Sequence, residues 1–257
     1  MSTVTSKDGT QVAYDATGSG PALVIVSAMP DRSANAQLVE LLAPYFTVYN
    51  YDRRERGGTK SDQPYAVARE FEDLEAVLGA AGGSAYIYGS SGMGVFALRA
   101  AANGLAGKLQ KIAVWEPPFI VEGARQPLPG DYKQQLEKML SEDRRGDMAA
   151  LFMTAAVGMP AEFVEPMKGF PNWSAFEASA PALIHDAEVV GDMSIPDELK
   201  NVTVPTLILE GGSIPWVTAG IDALVKILPQ AERKLLAGQQ HNVEATAIAP
   251  ALIEFFK

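Results

Sequence analysis

Apolar residues follow two rhythms along this chain, and the rhythms take turns. Continuous apolar runs of strand length occur at 21–28 (PALVIVSA), 85–89 (AYIYG), 111–116 (KIAVWE) and 205–212 (PTLILEGG). Such runs are what a strand buried on both faces requires. TVYNYD (47–52) and ERKLLAG (232–238) read as two further strands. Between them apolar positions recur at helical spacing. In REFEDLEAVLGAAGG these are Phe71, Leu74, Val77 and Leu78, and Gly82-Gly83 closes the helix. Helices are expected as well at 94–105, 216–228 and 242–256, and TVTSKDGTQVAYDA reads as two strands about an Asp8-Gly9 turn.

Alternating buried strands and helices predict an α/β fold with a doubly wound, mostly parallel sheet. The rhythm changes between Pro117 and Val204. DYKQQLEKMLSEDRRGDMAALFMTAAV (131–157) predicts an amphipathic helix, and helical pieces broken by proline and glycine follow. Because this block falls between two strands, it is expected as a helical cap (117–204) inserted into a core made of 1–116 and 205–257. No internal repeat or low-complexity tract interrupts the pattern.

Composition narrows the function classes. With 257 residues, 47% of them hydrophobic, the chain can bury the core of one large α/β domain carrying an insertion. A formal charge of −10 argues against electrostatic binding to nucleic acid or an anionic membrane. The absence of cysteine excludes thiol chemistry and thiolate metal sites. MSTVTSKDGTQ lacks a basic region followed by an apolar run, and PALVIVSAM is far too short to span a bilayer. The expectation is a cytoplasmic protein acting on a small molecule, with no nucleic-acid or membrane partner and with room for a homodimer.

Candidate chemistry starts at AYIYGSSGMGVFALRAAA (85–102), where a strand meets two serines and then a helix. A serine on a tight strand-to-helix turn has an exposed hydroxyl, and the turn crowds its neighbours, so the residues two before and two after are normally small. The helix N-terminus aims amides at a developing oxyanion. Ser91 places Gly89 before and Met93 after; Ser90 places Tyr88 before and Gly92 after. A tyrosine at the strand end blocks the turn more than a flexible methionine does, so Ser91 is the favoured nucleophile. GSSGMG has neither the lysine of a phosphate-binding P-loop nor dinucleotide spacing.

The chain has two histidines. His241 lies between the last strand and the last helix, at the carboxyl edge of the sheet where the serine turn also lies. It is the candidate base, and His185, within the 117–204 block, reads as a pocket-wall residue. The acid is less obvious. After the seventh strand, where aspartate is usual, Ile214 precedes Pro215. Glu116, one strand over and flanked by Trp115 and Pro117, would emerge at the same edge and need a partner. Glu116 is favoured, with Glu210 and Asp192 as alternatives.

Over nearly its whole length the chain resembles the α/β-hydrolase superfamily. DRRERGGT (52–59) is similar to the superfamily's D-x-R-G-x-G-x-S segment, QQHNV matches its histidine loop, and WEPP resembles the YEPP-like segment of a group of small bacterial hydrolases. The resemblance implies a triad whose acid follows the sixth strand, which suits Glu116. It also implies an oxyanion hole of the Met29 and Gly92 amides, with no metal or organic cofactor. Three departures stand out: SAMP replaces the usual HG after the third strand, Met93 replaces a small residue, and Glu55 replaces a glycine.

The implied activity is cleavage of a carboxylic ester or lactone through an acyl-enzyme. Methionine- and aromatic-rich segments in the cap, with Met153, Trp173 and Phe176 alongside His185, make a small hydrophobic substrate the expectation. Two alternatives from other classes remain: a hydrolase-fold lyase or cofactor-free catalyst using Ser and His for proton transfer, and a non-catalytic small-molecule binder.

Overall fold

The computed structural model describes residues 1–28, 30–171 and 173–257. The chain divides into two compact units, one of residues 1–125 and 194–257, the other of 126–193.

In the first unit the apolar runs form one eight-stranded sheet. A short hairpin, β1 (Ser2–Thr5) and β2 (Gln11–Gly18), turns at Gly9, whose φ of 92° suits a residue without Cβ. Then follow β3 (Ala22–Val26), α1 (Ala36–Leu42), β4 (Thr47–Tyr51), α2 (Val67–Ala80), β5 (Ala85–Ser90), α3 (Gly92–Ala100) and β6 (Leu109–Trp115). The second unit holds α4 (Tyr132–Ser141), α5 (Arg145–Leu151), α6 (Ala161–Met167), α7 (Trp173–Ser179) and α8 (Leu183–Val190). The chain then re-enters the sheet with β7 (Thr206–Glu210), α9 (Pro215–Ile227), β8 (Ala231–Leu235) and α10 (Ala245–Phe256).

The strand order is β1-β2-β4-β3-β5-β6-β7-β8, antiparallel at β1–β2 and β2–β4 and parallel thereafter. Parallel strands need crossovers, and the helices supply them on both faces. Leu23 and Ile25 of β3, Tyr88 of β5 and Trp115 of β6 pack with Leu38 and Leu42 of α1 and Ile248, Leu252 and Phe256 of α10. Elsewhere α2 meets α3 through Phe71 and Phe96, whose ring centroids are 5.4 Å apart.

One short helix escapes the sequence pattern, and one expected helix is broken. Helix α1 was not anticipated: at seven residues it is too short for a strong periodic signal, and its packing on α10 stabilises it. The continuous helix expected over 131–157 is broken between α4 and α5, where Asp143 takes a left-handed φ of 53°. Local ion pairs of Arg144 with Glu142 and Asp147 brace the break. The second unit has its own small core of Ala149, Val164 and Trp173, with Met153, Met159, Met167 and Phe176 packed against it. Among the described residues no helix is long and apolar enough to cross a membrane.

Candidate active site

The junction between β5 and α3 is built by crowding. Ser91 lies between strand and helix with φ 55° and ψ −129°, a conformation few L-residues adopt. Its amide donates to the Trp115 carbonyl at 2.7 Å, which ties the turn to the neighbouring strand, and its carbonyl accepts from the Gly94 amide at 2.8 Å. A Cβ at Gly89 would overlap the Met93 carbonyl and the Gly94 amide, so glycine is required there. A Cβ at Gly94 would sit 3.1 Å from the Val114 side chain and 3.2 Å from the Gly89 carbonyl. The crowding expected after the serine therefore falls on Gly94, and Met93 is tolerated because its side chain turns into the interior. There the Met93 sulfur accepts from Arg53 Nη1 at 2.8 Å.

Arg53 is itself fully buried, stacked near the Phe96 ring and paired bidentately with Glu70 at 2.5 and 2.7 Å. Arg54 pairs in the same way with Asp73 at 2.6 and 2.8 Å, and also reaches Asp8 at 2.8 Å. Both arginines come from the segment after β4 and both acids from α2, so the DRRERGGT segment is pinned to that helix. Asp52 accepts from the Arg32 and Gly58 amides at 2.9 and 2.7 Å and from the Arg32 guanidinium. Glu55 takes φ 59°, the conformation that explains the glycine of related segments, and its carboxylate accepts from the Ser61 amide at 2.8 Å.

Glu116 follows β6 and is 1% exposed, with φ 42°. One carboxylate oxygen accepts from the Gly211 amide at 2.9 Å; the other lies 2.8 Å from His241 Nδ1. His241 Nε2 is 3.1 Å from Ser91 Oγ. Serine, imidazole and carboxylate thus form one hydrogen-bonded chain, with the carboxylate buried and the imidazole one-third exposed. An Nδ1–H donated to Glu116 leaves the Nε2 lone pair facing the serine hydroxyl, the tautomer a general base needs. Five non-glycine residues among those described have positive φ, and Ser91 and Glu116 are two of them.

Ser90, Glu210 and Asp192 stand outside this hydrogen-bonded chain. Ser90 is the last residue of β5 and pairs with Trp115 of β6 in the sheet. Glu210 is buried, but its carboxylate takes Thr218 Oγ1 at 2.9 Å and the Arg233 guanidinium. Asp192 lies beyond α8 in the second unit. Gly92 is the first residue of α3, so its amide has no acceptor within that helix. Met29 lies outside the described residues. Trp173, Phe176 and Met153 meet in the second unit's own core, where the Trp173 indole donates to Glu177 at 2.9 Å, and His185 lies on α8. Among the described residues no group of three or more His, Asp or Glu side chains could hold a metal ion.

The sequence reading passed over Gly211 and Trp115. A Cβ at Gly211 would strike the Gln239 carbonyl, so the end of β7 closes against the histidine loop. Trp115 is fully buried, and its Nε1 donates to the His241 carbonyl at 2.8 Å. No local pattern signals a contact between residues 126 positions apart.

Comparison with known proteins agrees with this architecture. The model of the "Alpha/beta hydrolase family" matches residues 23–247. The structure of an alpha/beta hydrolase from Sphaerobacter thermophilus is similar at 44% identity, with a TM-score of 0.92, covering 99% of this chain and 100% of that one. A hydrolase from Pseudomonas aeruginosa (19% identity, TM-score 0.76, covering 99% and 97%) and an esterase from Exiguobacterium antarcticum (17%, 0.76, covering 99% and 98%) share the fold. A search of curated proteins found no match. A family match over most of the chain and a near-identical fold at 44% identity lead to one conclusion: this chain belongs to the alpha/beta hydrolase family.

Proposed function

We propose that the protein is a serine hydrolase that cleaves a carboxylic ester or lactone through an acyl-enzyme. The observation that carries the reading is the hydrogen-bonded chain from Ser91 Oγ through His241 to Glu116. In this reading Ser91 attacks the substrate carbonyl carbon as His241 Nε2 takes the hydroxyl proton. Glu116 keeps the imidazole in the required tautomer and stabilises its charged form. The Gly92 amide, at the N-terminus of α3, donates to the oxyanion; a donor of this kind is worth about 3 kcal/mol of barrier. The histidine then protonates the leaving alkoxide, and water attacks the acyl-serine with the same imidazole as base.

Intact-mass spectrometry after fluorophosphonate treatment, with peptide mapping, tests this. One adduct on Ser91, lost in His241→Ala, is expected. An adduct on Ser90 would overturn the assignment of the nucleophile. No adduct on the folded protein would overturn the acyl-enzyme and favour proton-transfer chemistry or ligand binding.

A further inference from the structure

We propose that Trp115 is a positioning residue that holds nucleophile and base in register. The inference rests on the acyl-transfer reading above. Three hydrogen bonds join the dipeptide Trp115-Glu116 to Ser91 and His241. The Trp115 carbonyl accepts from the Ser91 amide at 2.7 Å, its indole Nε1 donates to the His241 carbonyl at 2.8 Å, and the adjacent Glu116 carboxylate meets His241 Nδ1 at 2.8 Å.

The end of β6 thereby holds the serine by its main chain and the histidine by both main chain and ring. The histidine residue is anchored at two points, and two points fix the direction in which Nε2 faces Ser91; the carboxylate alone would leave the ring free to swing about one bond. The indole can act as a fixed post because it is wedged in the core with Tyr88, Leu209 and Ile248 and is fully buried. The His241 carbonyl also accepts from the Val243 amide at 3.0 Å. Removing the indole N–H therefore does not orphan that carbonyl, and the loss falls on geometry more than on burial of an unpaired group.

Trp115→Phe removes the donor and keeps a ring. Replacing Trp115 alone with 3-benzothienylalanine, which has sulfur in place of the N–H, preserves the bicyclic shape should the phenylalanine variant fail to fold. Two readouts separate positioning from stability. The first is the second-order rate of fluorophosphonate labelling at Ser91, expected to fall by roughly 10- to 100-fold. Ile112→Val, a packing change on the same strand, serves as control and is expected to label at the wild-type rate. The second readout needs no reactive serine: ¹⁵N NMR of the two histidines, with His241→Ala assigning the signals. Glu116 holds the Nδ1–H tautomer in wild type and variants alike, so the expected change is at Nε2, whose shift moves away from its wild-type value in the variants as its contact with Ser91 loosens. Wild-type labelling and unchanged His241 shifts in a folded variant would overturn the proposal. A wild-type protein that does not label, yet whose His241 Nε2 shift moves in the variants, would sink the acyl-transfer reading and leave the positioning role standing.

Discussion

Glu116 and Gly89 show how much single residues carry at this site. Glu116→Gln keeps the shape and can still accept from the Gly211 amide, but it no longer presents a carboxylate to His241 Nδ1. Labelling of Ser91 by a fluorophosphonate is expected to slow by roughly 10³- to 10⁴-fold, because the wrong tautomer is favoured and the imidazolium loses its counter-charge. Glu210→Gln, whose partners are Thr218 and Arg233, is expected to label at the wild-type rate. At Gly89 a Cβ would meet main-chain atoms of the turn, which cannot move aside without unseating Ser91. Gly89→Ala should cost at least about 3 kcal/mol in urea unfolding, and Gly94→Ala, whose nearest atoms lie farther off at 3.1 and 3.2 Å, about 1 kcal/mol. The sequence pattern showed that one serine sits on a tight turn. It misplaced the crowding, since the residue two after Ser91 points inward to Arg53 and the tight approach belongs to its neighbour Gly94.

Among the elements, α2 does more than cover the sheet. Glu70 and Asp73 face the segment after β4 and take Arg53 and Arg54 in bidentate pairs, all four side chains being buried. Such pairs contribute little over an apolar replacement, but breaking one strands a buried charge. Glu70→Gln should therefore destabilise the protein by about 3–5 kcal/mol in chemical denaturation. Because Arg53 also supports Met93, loosening is expected to reach the turn beneath Ser91. The apolar face of α2 was legible from Phe71, Leu74, Val77 and Leu78. Its two buried acids were not, since on a helix of mixed charge nothing local distinguishes an acid paired in the interior from one in solvent.

For the whole molecule, the ion-paired carboxylates set the response to acid. Burial alone would raise the Glu70 carboxyl, but Arg53, Arg56 and the Tyr65 hydroxyl outweigh it and hold it below its ordinary value. Asp8 is held far down by its hydrogen bond to Arg54, and Asp15 is lowered by Arg32. Folded pKa values below the unfolded ones mean stability present above the ordinary carboxylate values and lost as pH falls through the folded ones. Asp73 works in the opposite sense, burial raising it despite Arg54, so its term is fully present below its ordinary value and is lost as pH rises through the folded one. Asp31, Glu75 and Glu254 are lowered as well, by Ser33, Lys108 and Lys234, and six lowered acids against one raised predict a urea midpoint that falls steadily on acidification below about pH 4.5, the ordinary value for glutamate. Glu70→Gln should flatten that slope as well as lower the midpoint; an unchanged slope would show that Glu70 carries none of it.

What the amino-acid sequence determined by itself is local: the apolar runs that become buried parallel strands, the serine turn, and a histidine after the last strand. These follow from backbone geometry and burial over a few residues, and the order of strands and helices then places both groups at one edge of a parallel sheet. Only the tertiary structure decided which acid meets the histidine, where Met93 goes, and that Trp115 reaches the His241 carbonyl. Those contacts join residues 125, 40 and 126 positions apart. Such distances are settled by which strands become neighbours and how tightly their ends pack, as where Gly211 closes against the Gln239 carbonyl. No window of sequence contains that information, because the energy that selects each contact comes from the packing of the whole sheet.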